Sequence, residues 1–109
     1  MKVLFDQGTP APLRKALPHH AIETAYERGW SSLQNGALIA AAEDSGFEVF
    51  VTTDRNLKYQ QNLAARSLAV VVLLSTSWPR LQQVLSLVVE AVDTASPGSY
   101  REVSVENAA

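Results

Sequence analysis

Seven consecutive apolar residues, Leu-Ala-Val-Val-Val-Leu-Leu at positions 68–74, constrain this chain more than any other feature. Successive side chains of a strand point to opposite sides of its sheet. A strand that is apolar at every position must be covered on both faces, as a central strand of a parallel sheet is. Positions 3–5 (Val-Leu-Phe) and 47–52 (Phe-Glu-Val-Phe-Val-Thr) read as further strands, the first ending on Asp6 and the second just before Asp54. A fourth is expected within 19–24.

Helix signals fall between these strands. Thr9 and Pro10 form a helix start, an N-cap hydroxyl followed by proline at the first helical position, with the end near Leu17 and Pro18. Asn35 is an expected N-cap for the alanine-rich stretch 37–44, and Gly46 stands where a left-handed C-cap belongs. A short helix is expected over 57–63. The longest is expected over 79–93, with Leu81, Val84, Leu85, Val88, Val89 and Val92 at helical spacing on its core face. Alternation of strands and helices implies an α/β fold, three layers in α/β/α order around a mainly parallel sheet. One domain is expected over 1–95, followed by a tail over 96–109 whose last residues are expected to be disordered. Residues 100–105 of the tail alternate weakly, as an edge strand or an arm would, and are expected to add to a sheet edge of their own chain or of a second copy, or to order on a partner.

In such folds ligands sit beyond the carboxyl ends of the strands. That edge should carry Asp6, residues 52–56 and residues 75–77. Asp6 and Asp54 are the candidate chemistry, because two converging carboxylates suit Mg²⁺ or Mn²⁺, hard cations that prefer oxygen. The bland reading is that each aspartate only stabilises a turn or a helix start. Thr52, Thr53, Ser75 and Thr76 read as satisfied hydroxyls at strand ends or as lining of the same cleft, and Arg55 and Lys58 as solvated surface charges or phosphate contacts. His19 and His20 read as a solvated pair, and Trp30 and Trp78 as packing residues.

Composition narrows the classes. The chain has no cysteine, which removes disulfides, thiolate zinc sites and cysteine nucleophiles. Its formal net charge of −2 argues against binding nucleic acid through phosphates alone, although a bound cation supplies local positive charge. Neither a P-loop nor a Gly-x-Gly-x-x-Gly fingerprint is present, which discounts a nucleotide binder. The apolar opening at 3–5 is too short for a signal peptide, and 68–74 is too short to cross a membrane, so a cytoplasmic protein is expected.

Lys2-Val3-Leu4-Phe5-Asp6-Gln7-Gly8-Thr9-Pro10 resembles the opening strand of small PIN-like proteins, whose first metal-binding aspartate ends that strand. Phe47-Glu48-Val49-Phe50-Val51-Thr52-Thr53-Asp54-Arg55-Asn56-Leu57 is similar to their later Thr-x-Asp or Thr-Thr-Asp strand. Between them, Gly29-Trp30 and the helix from Asn35 to Ala42 resemble the middle motif. The likeness runs over about 2–74. It implies a PIN-like fold and a Mg²⁺- or Mn²⁺-dependent endoribonuclease, as in the toxins of toxin–antitoxin pairs. Asp6 would be a metal ligand, Asp54 a ligand or water-orienting group, and Asn35 an outer-shell partner. RNA and an antitoxin-like protein are the implied partners. Three departures deplete the acids. Ala37 stands where relatives carry an acid after Asn-Gly, Gln7 where Asp-Glu is common, and Asn56 where a second acid often follows. A non-catalytic PIN-like module that binds protein or RNA is the competing expectation.

Overall fold

The computed structural model describes residues 1–57 and 66–105. The five strands are β1 (Lys2–Phe5), β2 (Ala21–Thr24), β3 (Val49–Thr52), β4 (Ala69–Leu73) and β5 (Tyr100–Val103). They form one sheet in the order β2-β1-β3-β4-β5, and every neighbouring pair is parallel. This is one of the common doubly wound orders, with its switch point between β1 and β3. Residues 68–74 supply the interior strand that their pattern demands, next to β3 at the middle. The tail segment supplies β5, paired with β4, and Val103 and Val105 are buried in the core.

Alternation splits the apolar residues of the strands into two cores. Val3, Phe5, Val49, Val51, Ala69, Val71 and Leu73 share one cluster, while Leu4, Phe50, Val70 and Val72 share the other. The second face is covered by α1 (Asn35–Asp44) through Leu38, Ile39 and Ala42, with Leu57 beside it. The first is covered by a 3₁₀ helix (Ala11–Ala16) and by α2 (Trp78–Gln83) and α3 (Leu85–Asp93), which contribute Leu13, Leu81, Val84, Val88 and Val92. The result is a three-layer α/β/α fold.

The last crossover is unusual. The connection from β1 to β2 steps one way across the first face, and the connection from β2 to β3 steps back across the second. Opposite steps on opposite faces have the same hand. From β4 to β5 the chain steps in the same direction as from β2 to β3, yet α2 and α3 lie on the first face. Its hand is therefore opposite to theirs, although such connections are nearly uniform in hand across proteins. The apolar surface gives a reason. The 3₁₀ helix is short, so Val49, Val51, Val71 and Leu73 would lie open to water if α2 and α3 also covered the second face.

Several local expectations are corrected. Thr9 does not cap a helix: Pro10 takes the cap position, the following helix is 3₁₀, and the Thr9 hydroxyl donates instead to the Val51 carbonyl at 3.0 Å. Asn35 is the first helical residue, after Gln34 as N-cap. The helix expected over 79–93 is two, broken at Val84 (φ −119°, ψ 25°), and no glycine or proline stands at the break. His20 is not solvated. Its side chain is 8% exposed, Nε2 lies 2.5 Å from Asp93 Oδ1, and Nδ1 lies 3.1 Å from the amino terminus. Gly46 (φ +82°) does end α1 in the left-handed region, with Gly46 N–H donating to the Glu43 carbonyl and Phe47 N–H to the Ala42 carbonyl. The helix expected over 57–63 lies mostly outside the described residues.

A candidate two-carboxylate site at the switch point

Parallel pairing of β1 and β3 sets Phe5 opposite Val51, so Asp6 and Thr52 emerge side by side at the carboxyl edge. Asp6 N–H extends the ladder by donating to the Val51 carbonyl at 2.9 Å. Thr52 is fully buried, and its hydroxyl donates to Asp6 Oδ2 at 2.8 Å while accepting the Asp54 N–H at 3.1 Å. One hydroxyl thus ties the two aspartate-bearing loops together. The other Asp6 oxygen accepts the Gln7 N–H at 2.8 Å. Asp54 Oδ1 accepts the Asn56 N–H at 2.9 Å, an aspartate-turn arrangement that holds the loop after β3.

The loop after β1 is pressed onto the loop after β3. A turn closes from the Thr9 N–H to the Asp6 carbonyl at 3.0 Å, and the buried Thr9 hydroxyl holds the end of β3. Gly8 is needed there for space, because a Cβ at this position would stand 2.4 Å from Thr53 Oγ1. Gly8→Ala should cost about 1–3 kcal/mol, the usual range for overpacking. Adding Thr53→Ala, which removes that oxygen, should restore most of the loss. Chemical denaturation of both single variants and the double variant measures the coupling, and additive losses would contradict the contact.

The remaining candidates are placed as follows. Asn35 opens α1, whose crossover from β2 to β3 starts at the carboxyl edge; Ala37 lies exposed in the first turn. Ser75 Oγ accepts the Ser77 N–H at 3.0 Å, and Ser77 Oγ accepts the Arg80 N–H at the start of α2. Arg55, expected as a phosphate contact or a solvated charge, donates to the Leu74 carbonyl at 2.5 Å and so links the loop after β3 to the end of β4. Trp30 packs edge-on against Phe47 with the Arg28 guanidinium over its ring, a packing role. Lys58 lies outside the described residues. Two concave surfaces lie away from the acids, one over Leu85, Val89 and Asp93 of α3, the other beside Met1, Phe47 and Pro97 at the amino edge.

Carboxylate oxygens are the donors that Mg²⁺ and Mn²⁺ take. Asp6 accepts two hydrogen bonds out of roughly four acceptor positions, so it keeps capacity for a cation. Among the described residues no group of three or more His, Cys, Asp or Glu is arranged to hold a metal ion. A cation bound at Asp6 and Asp54 would therefore keep several of its waters, as Mg²⁺ commonly does. Each carboxylate is an oxygen donor of the kind such an ion takes, and the bridge through Thr52 runs from the Asp6 carboxylate to the Asp54 N–H.

No protein-family model matches the chain, and no curated protein or solved structure matches it. Among the described residues, no helix is long and apolar enough to cross a membrane.

Proposed function

We propose that this is a PIN-like, Mg²⁺- or Mn²⁺-dependent endoribonuclease with a depleted acidic site, a cytoplasmic toxin-type enzyme held by an antitoxin-like protein partner. The observation that carries the reading is the Thr52 hydroxyl bridge, which joins Asp6 to the Asp54 loop at the switch point of a parallel sheet. Ligands favour that location in doubly wound folds. A divalent cation there would supply an activated water and neutralise charge on a phosphoryl group. Asp6 and Asp54 would hold the cation, with Thr52 fixing the Asp6 carboxylate and the Gln7 and Asn56 N–H groups orienting the two acids. Asn35, at the start of α1, would act from the outer shell. With Ala37 in place of a third acid, cation affinity and rate should both be low.

RNA cleavage in Mn²⁺ tests this. The natural chain should cut slowly, chelation should stop it, and Ala37→Glu should speed it, because the first turn of a helix tolerates an added acid. Asp6→Asn should lower the rate on the order of 100-fold or more, since losing even an outer partner of a metal ligand costs 10–100-fold. A second reading, a non-catalytic PIN-like module that binds protein or RNA, is favoured by the charge-poor site, with Ala37, Gln7 and Asn56 where the resemblance expects acids. It would be established if neither the natural chain nor Ala37→Glu cut RNA in Mn²⁺.

A further inference from the structure

β2 is an edge strand, hydrogen-bonded on one side to β1 and, among the described residues, flanked by no strand on the other. Ala21 and Ala25 donate to the Met1 and Phe5 carbonyls, both at 2.9 Å. Backbone groups alternate in direction along a strand, so those of Ile22 and Thr24 face outward. In an open edge these groups would form a template for another strand. Here three of them have partners. Arg14 Nη2 donates to the Ile22 carbonyl at 2.6 Å and to Glu27 Oε1 at 2.6 Å. Glu27 Oε1 accepts the Thr24 N–H at 2.9 Å, and the Arg28 N–H donates to the Thr24 carbonyl at 3.1 Å. A reciprocal bond from the Glu27 N–H to the Thr24 hydroxyl at 3.0 Å fixes the turn that carries Glu27.

We infer that Arg14 and Glu27 form a side-chain clamp that closes the β2 edge against pairing with the β2 edge of a second copy of this chain. The two residues come from opposite sides of the strand in sequence, the 3₁₀ helix before it and the turn after it, and they meet over its outer backbone. The Arg14 guanidinium and the Thr24 N–H hold the Glu27 carboxyl below its usual range, so the clamp is charged at neutral pH. Identical edges meet most simply about a two-fold axis, which would set two β2 strands antiparallel. The clamp denies that arrangement its backbone partners. The same groups explain why a four-residue edge strand with Ile22 half-buried carries a polar, bonded rim instead of a bare one.

The double variant Arg14→Met with Glu27→Ala tests the clamp. Sedimentation velocity over a concentration series should show a dimer or larger species that the natural chain does not form at the same concentrations. A distribution identical to that of the natural chain would overturn the proposal. The single variant Glu27→Ala gives a second, independent reading, because it removes only a surface carboxylate. Amide exchange at Thr24 should then quicken by roughly five- to tenfold, the loss expected from one hydrogen bond of about 1 kcal/mol. Ala21 and Ala25, bonded to β1, should keep their protection. Unchanged exchange at Thr24 would overturn the clamp even if the double variant failed to fold.

Discussion

Truncation after Pro97 should abolish the stable monomer. The shortened chain keeps α3 complete but loses β5, and with it Val103 and Val105, which are 6% and 5% exposed in the core beneath α2 and α3. Burying a valine side chain is worth about 1.5–3 kcal/mol. The Val70 and Leu74 N–H groups, which donate to the Ser99 and Val103 carbonyls, would lose their partners as well, at about 1 kcal/mol each. The combined loss is comparable with the lower part of the 5–15 kcal/mol that holds a typical domain together. It would also turn β4, five buried apolar residues, into an open edge, the kind of surface that templates aggregation. Thermal melting followed by circular dichroism, with sedimentation alongside, should show aggregation or a fall in Tm of well over about 10 °C. A monomeric truncated chain melting close to the natural one would mean that β5 is a passive extension.

The importance of β5 was only faintly legible in the sequence. Its alternation is weak because Arg101 is exposed although it shares a face with the buried Val103, and Glu102 on the opposite face is exposed too. β1, β3 and β4 were plain, since a strand covered on both faces leaves no room for polar residues. The end of α1 was plain too, because only glycine adopts φ near +82° without cost and Gly46 stands there. The break at Val84 left no mark: Leu81, Val84, Val88 and Val92 keep one helical face across it. Nor could local pattern reveal the His20–Asp93 pair, whose partners are 73 residues apart.

Within the candidate site, the aspartates were legible from position, as charges ending apolar runs. The bridge between them was not. Thr52 reads as an ordinary strand-end hydroxyl until the register of β1 against β3 places it beside Asp6. Gly8 reads as a turn glycine, and its actual constraint, the nearness of Thr53, also depends on that register. Thr9 was given to its own helix by its neighbour Pro10, whereas its hydroxyl serves β3. In each case the partner lies more than forty residues away, on a strand or just beyond its end.

The proposed function requires that Asp6 and Asp54 hold one divalent cation at the switch point. Paramagnetic broadening by substoichiometric Mn²⁺ in an amide NMR spectrum tests it most directly, without requiring turnover. The account predicts that the amides of Gln7, Asp54 and Asn56 broaden first, because their N–H groups lie against the Asp6 carboxylate, the Thr52 hydroxyl beside it and the Asp54 carboxylate. The Ser99 amide, in the turn before β5 at the amino edge of the sheet, should stay sharp. Asp6→Asn keeps the shape of the side chain and an acceptor for Thr52 but removes the charge, and should abolish the selective broadening. Mn²⁺ that broadens other regions first, or that broadens the same amides equally well in Asp6→Asn, would contradict a cation site built on these two aspartates.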